Sequence, residues 1–106
     1  MDNDKHVTRL FFAKMKSAFT NLPNQEKAAF MAKDRANLDE IGMKAISMID
    51  CSWSNDEWDY IGVEDWPSMD AIKKREKFEA EELEISKYVE YKTYLGTAES
   101  FDTYGK

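Results

Sequence analysis

The chain has 106 residues, of which 42% are hydrophobic and 13% aromatic, enough to fold as one domain and too apolar for a disordered chain. A charged fraction of 34% and the lack of any apolar run near the ~20 residues that span a bilayer exclude a membrane protein. The net charge of −6 argues against a nucleic-acid backbone as partner.

The opening MDNDKHVTR has no apolar middle region of the signal-peptide kind, so a cytoplasmic address is expected. One cysteine, Cys51, and one histidine, His6, offer neither an internal disulfide nor zinc or iron-sulfur spacing, and no metal or bound cofactor is expected.

Residues 7–16 (VTRLFFAKMK) alternate and are rich in β-branched and aromatic side chains, which predicts a first strand. One face carries Arg9, Phe11, Ala13 and Met15, and the other Thr8, Leu10, Phe12 and Lys14. Both faces are largely apolar, so both need a cover. After a turn at residues 21–24, strong helix formers run from 25 to 41 and stop at Gly42. Phe30, Met31, Leu38 and Ile41 form the apolar stripe of that helix with Ala28 beside it, and Asp34 interrupts the stripe.

Residues 44–53 (KAISMIDCSW) predict a second strand, 54–56 a turn, and 57–66 a third strand, together a hairpin. Pro67 ends the third strand, and Ser68 is placed to cap a helix running to about residue 86, with Asp70 in its first turn. Its apolar edges are Met69, Ile72, Ala80 and Leu83 on one side and Ala71, Phe78 and Ile85 on the other. Glu79 falls between the edges, one turn from Arg75, an ordinary helix pair from which Glu79 can reach the sheet. The lysines at 73, 74 and 77 are followed by four glutamates and read as a solvated, charge-paired face. Residues 87–97 (KYVEYKTYLGT) predict a fourth strand, and 98–106 a polar tail.

The order strand, helix, strand, strand, helix, strand predicts an α+β fold, a βαββαβ two-layer sandwich with a four-stranded antiparallel sheet and both helices on one side. The uncovered sheet face then predicts a homodimer. All three tryptophans lie within residues 53–66, and strand parity sets Trp58, Tyr60, Gly62, Glu64 and Trp66 on one face, with Ile61 and Val63 on the other. Such an aromatic, glycine-notched face suits stacking on a flat ligand, and equally suits plain packing or a dimer interface.

The RLFFAKMK strand, the AAFMAKD helix, the YIGVEDWPS strand ending at a helix start and the SKYVEYKTYLGT strand together resemble the dimeric α/β-barrel superfamily, over roughly residues 7–97. That group has a ferredoxin-like fold and includes stress-responsive barrel proteins, small polyketide cyclases and cofactor-independent monooxygenases of antibiotic biosynthesis. The resemblance implies a pocket between the helices and the inner sheet face. Matched by parity, Arg9, Phe11, Ala13 and Met15 would line it from the first strand, and Tyr60, Gly62 and Glu64 from the third. Trp66 would sit near the rim, and Phe30, Met31 and Asp34 would look down from the first helix. Cyclases of this type use histidine and tyrosine, whereas His6 precedes the first strand, so histidine-based cyclization is not expected.

Two carboxylates facing an aromatic pocket, Asp34 and Glu64, are candidates for acid and base, with Arg9 stabilizing an enolate or phenolate. The alternative is a structural ion pair between Arg9 and either acid. Phe11, Phe30, Met31, Trp58, Tyr60, Gly62 and Trp66 are the candidate substrate contacts. Cys51 reads as a small buried hydrophobe, and the six methionines read as packing filler. The expected function is a small homodimeric enzyme that oxygenates, cyclizes or isomerizes a hydrophobic aromatic or polyketide-like molecule by proton transfer. The alternatives are a non-catalytic ligand-binding or stress-associated protein, and an interaction module with no cavity.

Overall fold

A computed structural model describes residues 5–106. In chain order it forms β1 (Val7–Met15), the short helix α1 (Ser17–Thr20), α2 (Asn24–Ile41), β2 (Lys44–Asp50), β3 (Tyr60–Trp66), α3 (Met69–Glu81), the short helix α4 (Ile85–Tyr88) and β4 (Val89–Gly96). A 3-10 turn follows at Phe101–Thr103. The four strands make one antiparallel sheet in the order β2-β3-β1-β4, so the fold is α+β with β1 and β3 at the centre.

Register decides which side chains share a face. Arg9 lies opposite Glu64, Phe11 opposite Gly62 and Ala13 opposite Tyr60. These residues point to the side covered by the helices, where Ala13, Phe11 and Met15 pack with Phe30 and Phe78. On the other side, Leu10 meets Val63 and Tyr94, and Phe12 meets Ile61.

The interior is split into two clusters. One joins Ala13, Leu83, Ile85 and Val89 with Phe11, Phe30, Phe78 and Tyr88 around them. The other joins Trp66, Ala71 and Ile72 with Val7, Leu38, Ile41, Met43 and Met69. Helix α2 is tied to the first cluster near its start, where the Phe30 ring meets Phe19 and Tyr88, each at 5.4 Å between centroids. Near its end Gly42 takes the left-handed conformation (φ +94), and the Met43 N–H returns to the Leu38 carbonyl at 3.0 Å. This closure brings Met43 and Leu38 together in the second cluster. Between its two anchors α2 buries no residue fully.

The hairpin differs from the sequence expectation. Strand β2 stops at Asp50 instead of 53, and β3 starts at Tyr60 instead of 57. In the intervening loop the Cys51 carbonyl accepts from the N–H and hydroxyl of Ser54 and from Asn55 Nδ2, and Asn55 Oδ1 accepts from the backbone of Glu57 and Trp58. Those local bonds satisfy the backbone in place of ladder pairing. Trp58 therefore leaves the Tyr60 face and packs on Phe12 at 5.7 Å, while Trp53 is 84% exposed and Trp66 fully buried.

The second long helix ends early as well. It stops at Glu81 instead of about 86, and Glu84 adopts a left-handed backbone (φ +48) before α4. Leu83 and Ile85 are both buried, whereas in one continuous helix two positions this far apart point roughly 200° away from each other. The break lets both enter one cluster. Ser68 caps α3 as expected, its hydroxyl accepting from the Ala71 N–H at 3.1 Å.

The tryptophans provide a check on this division of burial. In urea unfolding, Trp66→Ala should cost about 3–5 kcal/mol, whereas Trp53→Ala should change stability by no more than about 0.5 kcal/mol.

Candidate functional site

Helix α2 joins the apolar core near its two ends and bridges the sheet between them, above a cavity of about 510 Å³. Phe11, Ala13 and Met15 of β1 with Gly62 of β3 form the floor. Phe30, Met31, Asp34 and Leu38 of α2 form the roof, and Ala45, Ser47 and Met48 of β2 one wall. Met31, Met48 and Tyr60 line the cavity and are also exposed, which makes them its rim.

The charged groups at the cavity belong to one interlocked chain. Arg9 Nε donates to Glu64 Oε1 at 2.7 Å, and Arg9 Nη2 donates to Glu79 Oε2 at 3.2 Å. The same Glu79 oxygen accepts from Arg75 Nε at 2.9 Å. Arg75 also donates to Asp34 and, at 2.9 Å, to Asn37 Oδ1, both on α2. Trp66 Nε1 completes the array by donating to Glu64 Oε1 at 3.0 Å. The Arg9 guanidinium lies between two rings, 5.0 Å from the centroid of Phe11 and 4.8 Å from that of Trp66. Burial works to lower the Arg9 pKa, but Glu79 and Glu64 more than offset it and hold the pKa above the ordinary arginine value.

This geometry sorts the residues chosen from sequence. Arg9, Phe11, Phe30, Met31, Asp34, Tyr60, Gly62 and Glu64 all line the one cavity. Trp58 and Trp66 do not, since Trp58 packs on the opposite sheet face and Trp66 is sealed in the second core cluster. Arg9 is ion-paired with Glu64 and only 2% exposed, and Asp34 is paired with Arg75 instead of Arg9. His6 sits outside the cavity, its ring nitrogen 3.0 Å from the Asp65 carboxylate. Cys51 is buried, with its thiol directed at the Trp58 carbonyl at 3.3 Å.

Sequence reasoning missed the place of Arg75, Met43 and Met48 at the cavity. Arg75 and Glu79 read as an ordinary helix pair from which Glu79 can reach the sheet; Glu79 does bond Arg9 there, and the two residues, 3% and 2% exposed, also tie α3 to α2 through Arg75. The available signal was the position of Glu79 between the two apolar edges of its helix. The methionines read as packing filler, with Met15 and Met31 alone placed at the pocket. Four of the six, Met15, Met31, Met43 and Met48, converge on the cavity from four separate elements or junctions. Methionine is flexible and polarizable and adapts a wall to irregular apolar shapes.

A second concavity, of about 600 Å³, lies between α2 and α3 and is lined by Glu40, Lys74, Lys77 and Glu81 among others. Its charges are exposed and solvent-screened, so it lacks the organized polar groups of the cavity beneath α2. Among the described residues no group of three or more His, Cys, Asp or Glu is arranged to hold a metal ion. No helix among them is long and apolar enough to cross a membrane. No protein-family model matches the chain, and no curated protein matches it.

Removing one partner from a buried ion pair strands the other charge. Glu79→Gln should therefore lower unfolding stability by about 3–5 kcal/mol. Breaking the exposed Lys77–Glu81 pair with Lys77→Ala should change it by no more than about 0.5 kcal/mol. Chemical denaturation of both variants measures the contrast.

Proposed function

We propose that the chain binds a hydrophobic, ring-bearing small molecule of the aromatic or polyketide-like class in the cavity beneath α2. One observation carries this reading. The cavity is large enough for such a molecule, its walls are mostly apolar, and its charged residues are locked into a single network. An interaction module without a cavity does not fit that geometry.

A second reading builds on the first. The protein is then a cofactor-independent enzyme that oxygenates, cyclizes or isomerizes its ligand by proton transfer. The placement of Asp34 favours it: the carboxylate lines the cavity with its side chain 35% exposed, and its Oδ1 is held by Arg75. A carboxylate fixed in this way and open to a ligand is suited to act as a base. Arg9 serves in either reading by orienting Glu64, because its guanidinium is already engaged by two carboxylates.

The architecture fits a ferredoxin-like dimeric α/β barrel. The support is the βαββαβ order with β1 and β3 central, together with the sheet face left free of helices, where Leu10, Phe12, Ile61, Val63 and Tyr94 cluster. A face of that composition suits a second copy related by two-fold symmetry. Phe12 is at its centre, 5.9 Å from Tyr94 and 5.7 Å from Trp58.

Calorimetric titration with a panel of uncharged aromatic compounds tests the pocket. Gly62→Leu projects a side chain from the floor into the cavity and should weaken binding about tenfold or more. Unchanged affinity in a folded Gly62→Leu chain would remove the cavity as the binding site. If a bound compound is turned over, Asp34→Asn should abolish turnover and retain binding of uncharged compounds; retained turnover leaves only the binding reading. Sedimentation velocity tests the dimer, for which the expected result is a homodimer that Phe12→Asp converts to monomer. A wild-type monomer at tens of micromolar would refute it.

A further inference from the structure

We propose that the cavity selects a ligand carrying a protonated amine on its apolar body, received by the open carboxylate oxygens of Asp34 and Glu64. The proposal rests on the pocket reading above and adds the charge and hydrogen-bonding character of the ligand.

Most of the guanidinium nitrogens at the cavity are committed to protein acceptors, whereas Arg9 Nη1 and the hydroxyls of Ser47 and Tyr60 make no protein hydrogen bond among the described residues. Arg9 gives Nε to Glu64 and Nη2 to Glu79, and its two faces are covered by Phe11 and Trp66. Arg75 gives Nε to Glu79, Nη1 to Asn37 and Nη2 to Asp34. No lysine lines the cavity. A carboxylate or phosphate entering it would meet guanidiniums that are each already ion-paired with two carboxylates among the described residues.

Each of the two carboxylates at the cavity has one oxygen in use and one free of protein donors among the described residues. Glu64 Oε1 takes the bonds from both Arg9 and Trp66, and Oε2 accepts from no protein donor among the described residues. This second oxygen lies over the glycine notch in the floor, 3.5 Å from where a Cβ on Gly62 would stand. Asp34 likewise uses Oδ1 for Arg75 and leaves Oδ2 without a protein donor among the described residues. No fully buried side-chain oxygen or nitrogen among those residues lacks a partner, so the two unpartnered oxygens keep access to solvent, on residues that line the cavity. The network also sets three carboxylates, Asp34, Glu64 and Glu79, against two guanidiniums, Arg9 and Arg75, which leaves one negative charge uncompensated. An ammonium group supplies the missing charge and the missing donors together. An alcohol supplies a donor alone, and a carboxylate meets like charge.

The test uses the intact chain and three probes on one skeleton: naphthylmethylamine, naphthylmethanol and naphthoate, titrated calorimetrically at neutral pH and low salt. The amine should bind about tenfold more tightly than the alcohol, and the carboxylate most weakly. In Asp34→Asn, with folding checked by circular dichroism, the preference for amine over alcohol should shrink about threefold or more while alcohol affinity holds within about twofold. Glu64→Gln provides the parallel measurement if Asp34→Asn does not fold. Alcohol or carboxylate binding as tightly as the amine overturns the proposal and leaves the pocket reading standing. An undiminished preference in the folded variants also overturns it, and failure of all three probes to bind overturns both.

Discussion

The Arg9 guanidinium is the point at which the layers of this protein meet. Its faces touch Phe11, on the edge of one core cluster, and Trp66, at the centre of the other, while its edges bind Glu64 on the sheet and Glu79 on α3. A charge so completely removed from water is tolerable only when its neighbours neutralize and hydrogen-bond it. Every surrounding residue is constrained by that requirement. Glu64 must stay in register opposite Arg9, Glu79 must face inward from α3, and Arg75 must share Glu79 and hand the chain on to Asp34 of α2. The two apolar clusters are thus joined by a polar array, and the cavity opens beside it.

Much of this was legible in the sequence because it is governed by local periodicity. Strand parity put Arg9, Phe11, Ala13 and Met15 on one face and Tyr60, Gly62 and Glu64 on another, and the helical stripe put Phe30, Met31 and Asp34 together. Those side chains do line one cavity. What the sequence concealed depends on non-local geometry or on bonds made within a loop. Asn55 pins the segment before β3 and so turns Trp58 out of the alternation that the following residues suggest. The pairing of Arg75 with Asp34 joins residues on two helices, and no spacing along the chain encodes it. The break after Glu81 arises from the demand that Leu83 and Ile85 enter the same core, a tertiary requirement that overrides helix propensity.

The cavity itself follows from the way α2 is held. Aromatic packing near Phe30 and the closure at Gly42 fix the helix at two places, and the Arg75 bonds to Asp34 and Asn37 fix its height between them. A helix supported in this manner can span an opening without collapsing into it, even though its own residues are incompletely buried. Flexible methionines line that opening from β1, α2, the α2–β2 junction and β2. Rigid charge beneath and compliant thioethers around suit a site that fixes one polar group of a ligand and tolerates variation in the rest.

Strand β2 lies at the edge of the sheet, and all of its residues are exposed, yet Ala45, Ser47 and Met48 form a wall of the cavity. The fold therefore separates the residues that keep it folded from some of those that shape the cavity. Exchanges along β2 can redraw the cavity with little disturbance to the core, whereas exchanges at Arg9, Glu79 or Trp66 disrupt the network or core on which both depend. Divergent copies of such a chain can thus reshape the cavity through one edge strand while inheriting an unchanged interior, and evolvability becomes a property of where that strand lies in the sheet.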